Sequence, residues 1–135
     1  MAAFVDTTAR NPMLNWLVGR TTPTSVSDRF ITTFSGDPQS GGVENIASLN
    51  GSANRINMTV AMGSAASAGA IASTADIEFT TVGSGSIGSA TVDHVGVMDA
   101  VTGGNVMASA AVVAKNMTAN DTLKILAGYL TFEIL

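Results

Sequence analysis

The stretch DHVGVMDAVTGGNVM, which begins at Asp93, contains the only histidine of the chain, between two aspartates and before a pair of glycines. An aspartate beside a histidine provides two of the three members of a catalytic triad, in which the carboxylate orients the imidazole that serves as the base. In strand geometry, however, His94 points to one face while Asp93 and Asp99 point to the other. The sequence also lacks a G-x-S-x-G element that would present a nucleophilic serine. The stretch therefore favours a strand, with a hydrogen-bonded His94, that runs into a turn.

The predicted turn spans Asp99 to Asn105. Gly103 and Gly104 would supply the positive φ angles that such a turn needs, and Asp99 and Asn105 would bond to local backbone amides.

Two further motifs contain residue types that could carry chemistry. Residues 83–88 match G-x-G-x-x-G, but the β-branched residues that follow leave no room for the helix that a dinucleotide site requires, so we predict a loop and no cofactor. Asp76 and Glu78 share one face of a predicted strand. They could form an acid/base pair or simply belong to a solvated face, and we favour the solvated face. One histidine without cysteine builds no metal site, and oxygen-only calcium sites show tighter acidic clusters. We therefore predict no catalytic, cofactor-binding or metal-binding residues.

The composition is typical of one apolar domain that contacts other proteins. Hydrophobic residues make up 46% of the 135 residues and charged residues only 12%, so we expect part of the surface to be covered by protein. The six basic residues are scattered and the net charge is −4, so we expect no nucleic-acid partner. No segment approaches the ~20 apolar residues of a membrane span and the N-terminus does not resemble a leader, so we expect no membrane partner and a mature chain that starts near Met1.

Hydrophobic periodicity predicts the secondary structure. Asn11-Pro12 is typical of an N-cap followed by proline at the first helical position, which predicts a short helix from Pro12 to Val18 that ends at Gly19. From residue 24 on the dominant period is two, and the clearest predicted strand is residues 55–62, with Arg55 on its polar face. Further strands are predicted at Phe30–Phe34, Ile77–Phe79, Val92–Met98, Val106–Val113, Leu123–Ile125 and Leu130–Ile134.

Turn residues punctuate these strands at short intervals, for example at Asp37-Pro38 and Ala127-Gly128. This pattern predicts an all-β fold, an antiparallel β-sandwich of jelly-roll-like type with one short N-terminal helix. We predict an N-terminal arm at residues 1–10 and a single β-sandwich domain at residues 11–135. The small-residue segment Gly63–Ser73 is either a mobile loop or a strand packed against a neighbouring subunit.

The run TVDHVGVMDAVTGGNVMASAAV, Thr91 to Val112, resembles the core motif of a family of small tailed-phage virion structural proteins of the head decoration, minor tail or fibre type. In that motif a strand ends in His-x-Gly-hydrophobic, and Asp-Ala, Thr-Gly-Gly-Asn and another strand follow. The matching residues are His94, Gly96, Asp99, Ala100, Thr102, Gly103, Gly104 and Asn105. Residues 14–19, 35–42, 73–79 and 120–131 resemble, in order, the family's short helix, first turn, middle strand and closing hairpin. The Gly63–Ser73 segment and residues 43–49 depart from the pattern.

The resemblance implies a non-enzymatic virion protein with a β-sandwich fold, made in the bacterial cytoplasm. The first hypothesis is a capsid decoration, or cement, protein on the outer surface of the head, which binds the major capsid protein and other copies of itself, plausibly as a homotrimer. The alternative is a minor tail or tail-fibre component, including one that contacts the host. A third hypothesis, a small enzyme that acts on the cell envelope, would need a convergent set of titratable groups, and the ten acids are scattered.

Five residues are predicted to contact protein partners. Phe4 and Trp16 are aromatic, and aromatic anchors dominate the energetics of protein interfaces. Asp99, Thr102 and Asn105 belong to the predicted turn, which we expect to be exposed. The N-terminal arm would add contact area on assembly without enlarging the core.

Overall fold

A computed structural model of the protein describes residues 4–5, 7–21, 28–45, 55–63, 69–80, 90–118 and 121–133. The strands, in chain order, are β1 (Phe4–Val5), β2 (Phe30–Ser35), β3 (Val43–Glu44), β4 (Ile56–Asn57), β5 (Ala70–Ala72), β6 (Ile77–Thr80), β7 (Ala90–Met98), β8 (Val106–Met117), β9 (Thr122–Ile125) and β10 (Thr131–Glu133). The helices are α1 (Thr7–Leu17), the single turn α2 (Met58–Ala61) and a 3-10 turn (Pro38–Ser40).

Two layers of antiparallel strands enclose the core. The first layer is a six-stranded sheet in the order β1-β8-β7-β2-β3, in which β4 also pairs with β2. The second layer consists of two two-stranded ladders, β5 with β10 and β6 with β9. Ile31 from the first layer packs with Ile77 and Phe79 from the second, and each of the three is at most 1% exposed. The predicted antiparallel β-sandwich with one short N-terminal helix is therefore confirmed.

Most of the strands predicted from the period of two are confirmed. Strands β2, β6, β7, β8, β9 and β10 lie where the alternation of apolar residues placed them, and β8 continues to Met117, past the predicted end at Val113. In the small-residue segment, Ala70–Ala72 forms β5 and pairs with β10 of the same chain. Residues 64–68 of that segment and the G-x-G-x-x-G motif at 83–88 lie outside the described residues.

The N-terminal helix begins earlier than predicted. α1 spans Thr7–Leu17, so Asn11-Pro12 lies inside the helix and not at its start. Strand β1 pairs with Ala108 and Ser109 of β8, and this long-range pairing fixes where the chain leaves the sheet and can enter the helix. The helix therefore starts before Pro12, although a proline inside a helix removes one backbone hydrogen bond. Gly19 has a φ of 74°, the left-handed conformation that commonly follows a helix end, so the predicted end is close to the observed one. Residues of the predicted arm thus contribute to β1 and α1, and its role in assembly stays a prediction.

The strand predicted at residues 55–62 is wrong beyond Asn57. The chain forms one helical turn, α2, in which Met58 and Ala61 are buried three residues apart. The Asn57 side chain accepts a hydrogen bond from the Thr59 N–H at 2.8 Å and donates one to Asp28 at 3.0 Å, so it caps the turn. Apolar residues at alternate positions do not exclude a helical turn, and the asparagine before Met58 was the signal that favoured one.

Candidate functional site

Asp93 and His94 are in contact, contrary to the prediction that they point apart. His94 Nδ1 lies 2.9 Å from Asp93 Oδ1, and the same oxygen accepts a hydrogen bond from the Gly36 N–H at 2.6 Å. The register between β7 and β8 shifts between Val92 and His94. This β-bulge interrupts the alternation of side chains, so neighbouring residues can meet on one side of the sheet.

The contacts of Asp93 join β7 to the turn after β2. The His94 ring and then the Gly36 amide lower the pKa of the Asp93 carboxyl, because both stabilise its charged form. The Ser35 hydroxyl lies within hydrogen-bond distance of the Thr91 carbonyl oxygen and, at 3.0 Å, of Asn45 Oδ1, so it is not directed at the imidazole as a nucleophile would be. The arrangement is that of a structural cross-link between strands.

The glycine of the His-x-Gly pattern leaves room for an aromatic ring on the neighbouring strand. A Cβ on Gly96 would lie 2.6 Å from Cε2 of Phe34, whose side chain is buried on the neighbouring strand β2. Such a contact is far below van der Waals distance, so a larger residue would displace the ring. This part of the motif is therefore explained by packing.

The loop from Asp99 to Asn105 is closed by its own first and last residues. Asp99 accepts hydrogen bonds from the Asn105 N–H at 2.6 Å and from Asn105 Nδ2 at 3.0 Å. Both bonds lower the pKa of the Asp99 carboxyl, and the bond from the Asn105 side chain has the larger effect. Gly103 and Gly104 have φ angles of 62° and 76°, as predicted, and a Cβ on Gly104 would lie 2.2 Å from Asp99 Oδ1.

A buried arginine attaches this loop to strand β3. Arg55, predicted to lie on the polar face of a strand, is only 7% exposed. Its Nε and Nη2 atoms each lie 2.7 Å from a different carboxylate oxygen of Glu44, a bidentate ion pair. Its Nη1 donates to the carbonyl oxygens of Ala100, at 2.5 Å, and Gly103, at 2.7 Å. One guanidinium thus connects three segments, and we call this arrangement the arginine clamp.

Glu44 keeps its charge inside this clamp. Burial raises the pKa of its carboxyl and is the largest single influence, but hydrogen bonds from Arg55 and Thr32 together with the Arg55 charge outweigh it, so the pKa lies below the ordinary value. A charged carboxylate and a charged guanidinium inside the fold are stable only as a pair. The clamp was not predicted, because its parts are distant in the sequence.

Asp76 and Glu78, weighed above as an acid/base pair, share one lysine. Lys124 Nζ contacts Glu78 Oε1 and lies 3.3 Å from Asp76 Oδ2, and all three side chains are at least 40% exposed. Asp76 also accepts the Ala127 N–H at 2.9 Å, and this bond, followed by the one from Lys124, lowers the pKa of the Asp76 carboxyl. The pair therefore forms part of a solvated strand face.

The described part of the chain contains no group of three or more histidine, aspartate or glutamate residues placed to hold a metal ion. Within the same ranges no helix is long and apolar enough to cross a membrane.

Helix α1 and the residue after it expose an unusual amount of apolar surface. Leu14 is 52% exposed, Trp16 57%, Leu17 73% and Val18 66%. A helix of a globular domain normally buries one apolar face against the core, and contiguous exposed apolar residues mark sites of protein contact. Among the predicted contact residues, Trp16 belongs to this surface.

The second layer of the sandwich leaves an apolar pocket of about 150 Å³ open between itself and the first sheet. One wall comprises residues of β2, β7 and β8, including Val95, Ala110 and Val112, and the other comprises residues 125 and 129–132. Tyr129 lines the pocket but is 81% exposed, so its side chain lies at the mouth of the pocket.

The structure places the other predicted contact residues as follows. Asp99, Thr102 and Asn105 share one loop, in which Asp99 and Asn105 are bonded to each other while Thr102 and Asn105 are exposed. The backbone of Phe4 pairs with Ser109 at the edge of the sheet. Their role as contacts stays a prediction.

An antiparallel β-sandwich whose polar groups bond to its own loops, and whose helix α1 exposes several apolar side chains, has the features of a structural protein. The chain belongs to the family described as podophage GP4 fiber I protein gp80, whose model matches residues 4–133. It is therefore a bacteriophage virion structural protein, as the resemblance of the motif indicated. A comparison of the chain with curated proteins finds no match.

Proposed function

We propose that this protein is a fibre subunit of the phage virion, joined to other copies of itself and to the particle through exposed apolar surface. The observation that carries the proposal is the family match, which covers residues 4–133 and names a fibre protein. The apolar residues around Trp16 support it, because an isolated chain would leave them in water. The proposed role is structural, without enzymatic activity.

Capsid decoration, the first hypothesis from the sequence, is the second candidate. It would make the major capsid protein the partner and place the chain on the outer surface of the head. The sparsely charged composition suits either location. The family description favours the fibre.

The copy number of the protein in intact particles tests the choice. Quantitative mass spectrometry would give its ratio to the most abundant capsid protein, and labelled antibody fragments would locate it by electron microscopy. A ratio of a few per cent with label at the tail or at discrete points is expected. A ratio near one with label across the head would overturn the fibre proposal in favour of decoration.

A further inference from the structure

We propose that Trp16 of one copy inserts into the apolar pocket of a second copy, so that fibre subunits join through two different surfaces. The inference rests on the proposed function and adds to it the identity of the partner and the contact.

The inserting side is compact and positively charged. Trp16 is flanked on α1 by Leu14 and Leu17, which are at least half exposed. Arg10 and Arg20 lie before and after this apolar group, and residues 7–21 include no aspartate or glutamate. An aromatic side chain surrounded by aliphatic ones with basic residues at the margin is a common form of interface anchor.

The receiving side matches this anchor in size and in chemistry. An apolar cavity of about 150 Å³ is large enough for an aromatic ring, and its walls are mostly aliphatic or aromatic. An apolar side chain that enters an open apolar pocket removes apolar surface of both partners from water, so filling the pocket is favourable. Tyr129, exposed at the mouth, offers a ring against which the incoming indole can pack.

The charges at the mouth are complementary to α1. The Tyr129 N–H bonds to the Leu126 carbonyl, and the Ala127 N–H bonds to Asp76, so the exposed Asp76 carboxylate lies close to the loop that carries Tyr129. Glu78 shares Lys124 with Asp76, so these three side chains together carry a net negative charge. Glu133, also exposed, follows the lining residue Phe132. Acidic excess at the pocket and basic residues on α1 would fix the orientation of the contact.

A second copy is a better occupant than the chain's own helix. In the part of the chain that the structure describes, no residue of α1 lines the pocket. A contact between two different surfaces is heterologous, so a pair of subunits keeps one free helix and one free pocket. Such a contact builds a closed ring or a filament, and a fibre is compatible with both.

Complementation between two variants tests the contact. Trp16→Ala removes the anchor and leaves the pocket, whereas Ala110→Phe fills the pocket and leaves the anchor. Light scattering coupled to size-exclusion chromatography should show oligomers for the native chain, a dissociation constant raised roughly 30-fold or more for each variant alone, and one-to-one heterodimers for their mixture. Val43→Ala, a truncation at another exposed apolar residue, is the control and should assemble normally.

Circular dichroism would first establish that Ala110→Phe folds; if it does not, Tyr129→Ala, at an exposed position, replaces it. Oligomers of native size in Trp16→Ala, or a mixture that stays monomeric, would overturn the inference.

Tryptophan fluorescence gives an independent measurement, because Trp16 is the only tryptophan. Emission should shift to the blue as the concentration of the native chain rises, and the same shift should weaken at high salt and in Arg20→Glu. A monomer with constant emission would overturn the contact. Such a result would leave the fibre proposal standing, since location and copy number in the particle are measured separately.

Discussion

The loop at residues 99–105 and the helix α1 both lie at the surface, yet they differ in how far their groups find partners within the chain. In the loop, Asp99 is bonded to Asn105 and two carbonyl oxygens are bonded to Arg55. On α1, Trp16 and Leu17 are more than half exposed. The loop carries the family motif, but its polar groups are used within the fold. A recognisable motif can therefore serve stability, while the exposed apolar surface lies elsewhere, in a segment with little motif of its own.

The largest expected effect comes from the arginine clamp. Arg55→Met removes the partner of Glu44 and leaves two loop carbonyls without a donor, so the free energy of unfolding should fall by roughly 3–5 kcal/mol. Urea denaturation followed by circular dichroism measures this. The double variant Glu44→Leu with Arg55→Met removes both charges and should recover part of the loss. If Arg55→Met alone lowers the free energy of unfolding by less than about 1 kcal/mol, the loop is not held by the clamp.

The two adjacent glycines of the loop provide a matched pair. Both have positive φ, so Gly103→Ala should lower the free energy of unfolding by roughly 1–2 kcal/mol through backbone conformation alone. Gly104→Ala should cost at least ~1 kcal/mol more, because its methyl group would displace the Asp99 carboxylate from Asn105. Thermal unfolding of the two variants side by side measures the difference. Equal losses would show that the bonds between Asp99 and Asn105 contribute little.

Acid should weaken the loop before it affects α1. The pKa of Asp99 is lowered in the folded chain by its bonds to Asn105, so the unfolded chain takes up the proton first as the pH falls. This stabilisation is present above about pH 4 and is lost as the pH decreases through the lower folded value. The free energy of unfolding should therefore fall less steeply below pH 4 in Asp99→Asn than in the native chain. Thr102→Ala, in the same loop without a carboxyl, should retain the native slope.

Local patterns predicted much of the fold, because strands and their turns are short-range features. The alternation of apolar residues placed β2 and β7 to β10, and Gly103-Gly104 placed the turn between β7 and β8. The start of α1 depends on β1 pairing with a strand about a hundred residues later in the chain, and no local pattern encodes that pairing.

The site was predicted only where its parts are close in sequence. A bond from Asp99 to a backbone amide of its own turn was expected, and the Asn105 N–H provides it. The clamp brings together Glu44, Arg55 and Gly103, and burial of Arg55 follows only from the fold. The contact of Asp93 with His94 depends on a bulge, and strict alternation predicts the opposite.

The smallest expected effect is also the one that separates the two regions most clearly. Trp16→Ala should change the free energy of unfolding by no more than about 0.5 kcal/mol when the chain is diluted to the monomer, because an exposed side chain loses few contacts. Ile31→Ala, in the core, should cost roughly 2–5 kcal/mol in the same experiment and shows that the assay responds. A loss of 2 kcal/mol or more for Trp16→Ala would mean that α1 packs on its own chain, and the helix would then be a stabilising element like the loop. With the loss absent, the apolar surface of α1 contributes nothing to folding, which is the result that the proposed contact with a second copy requires.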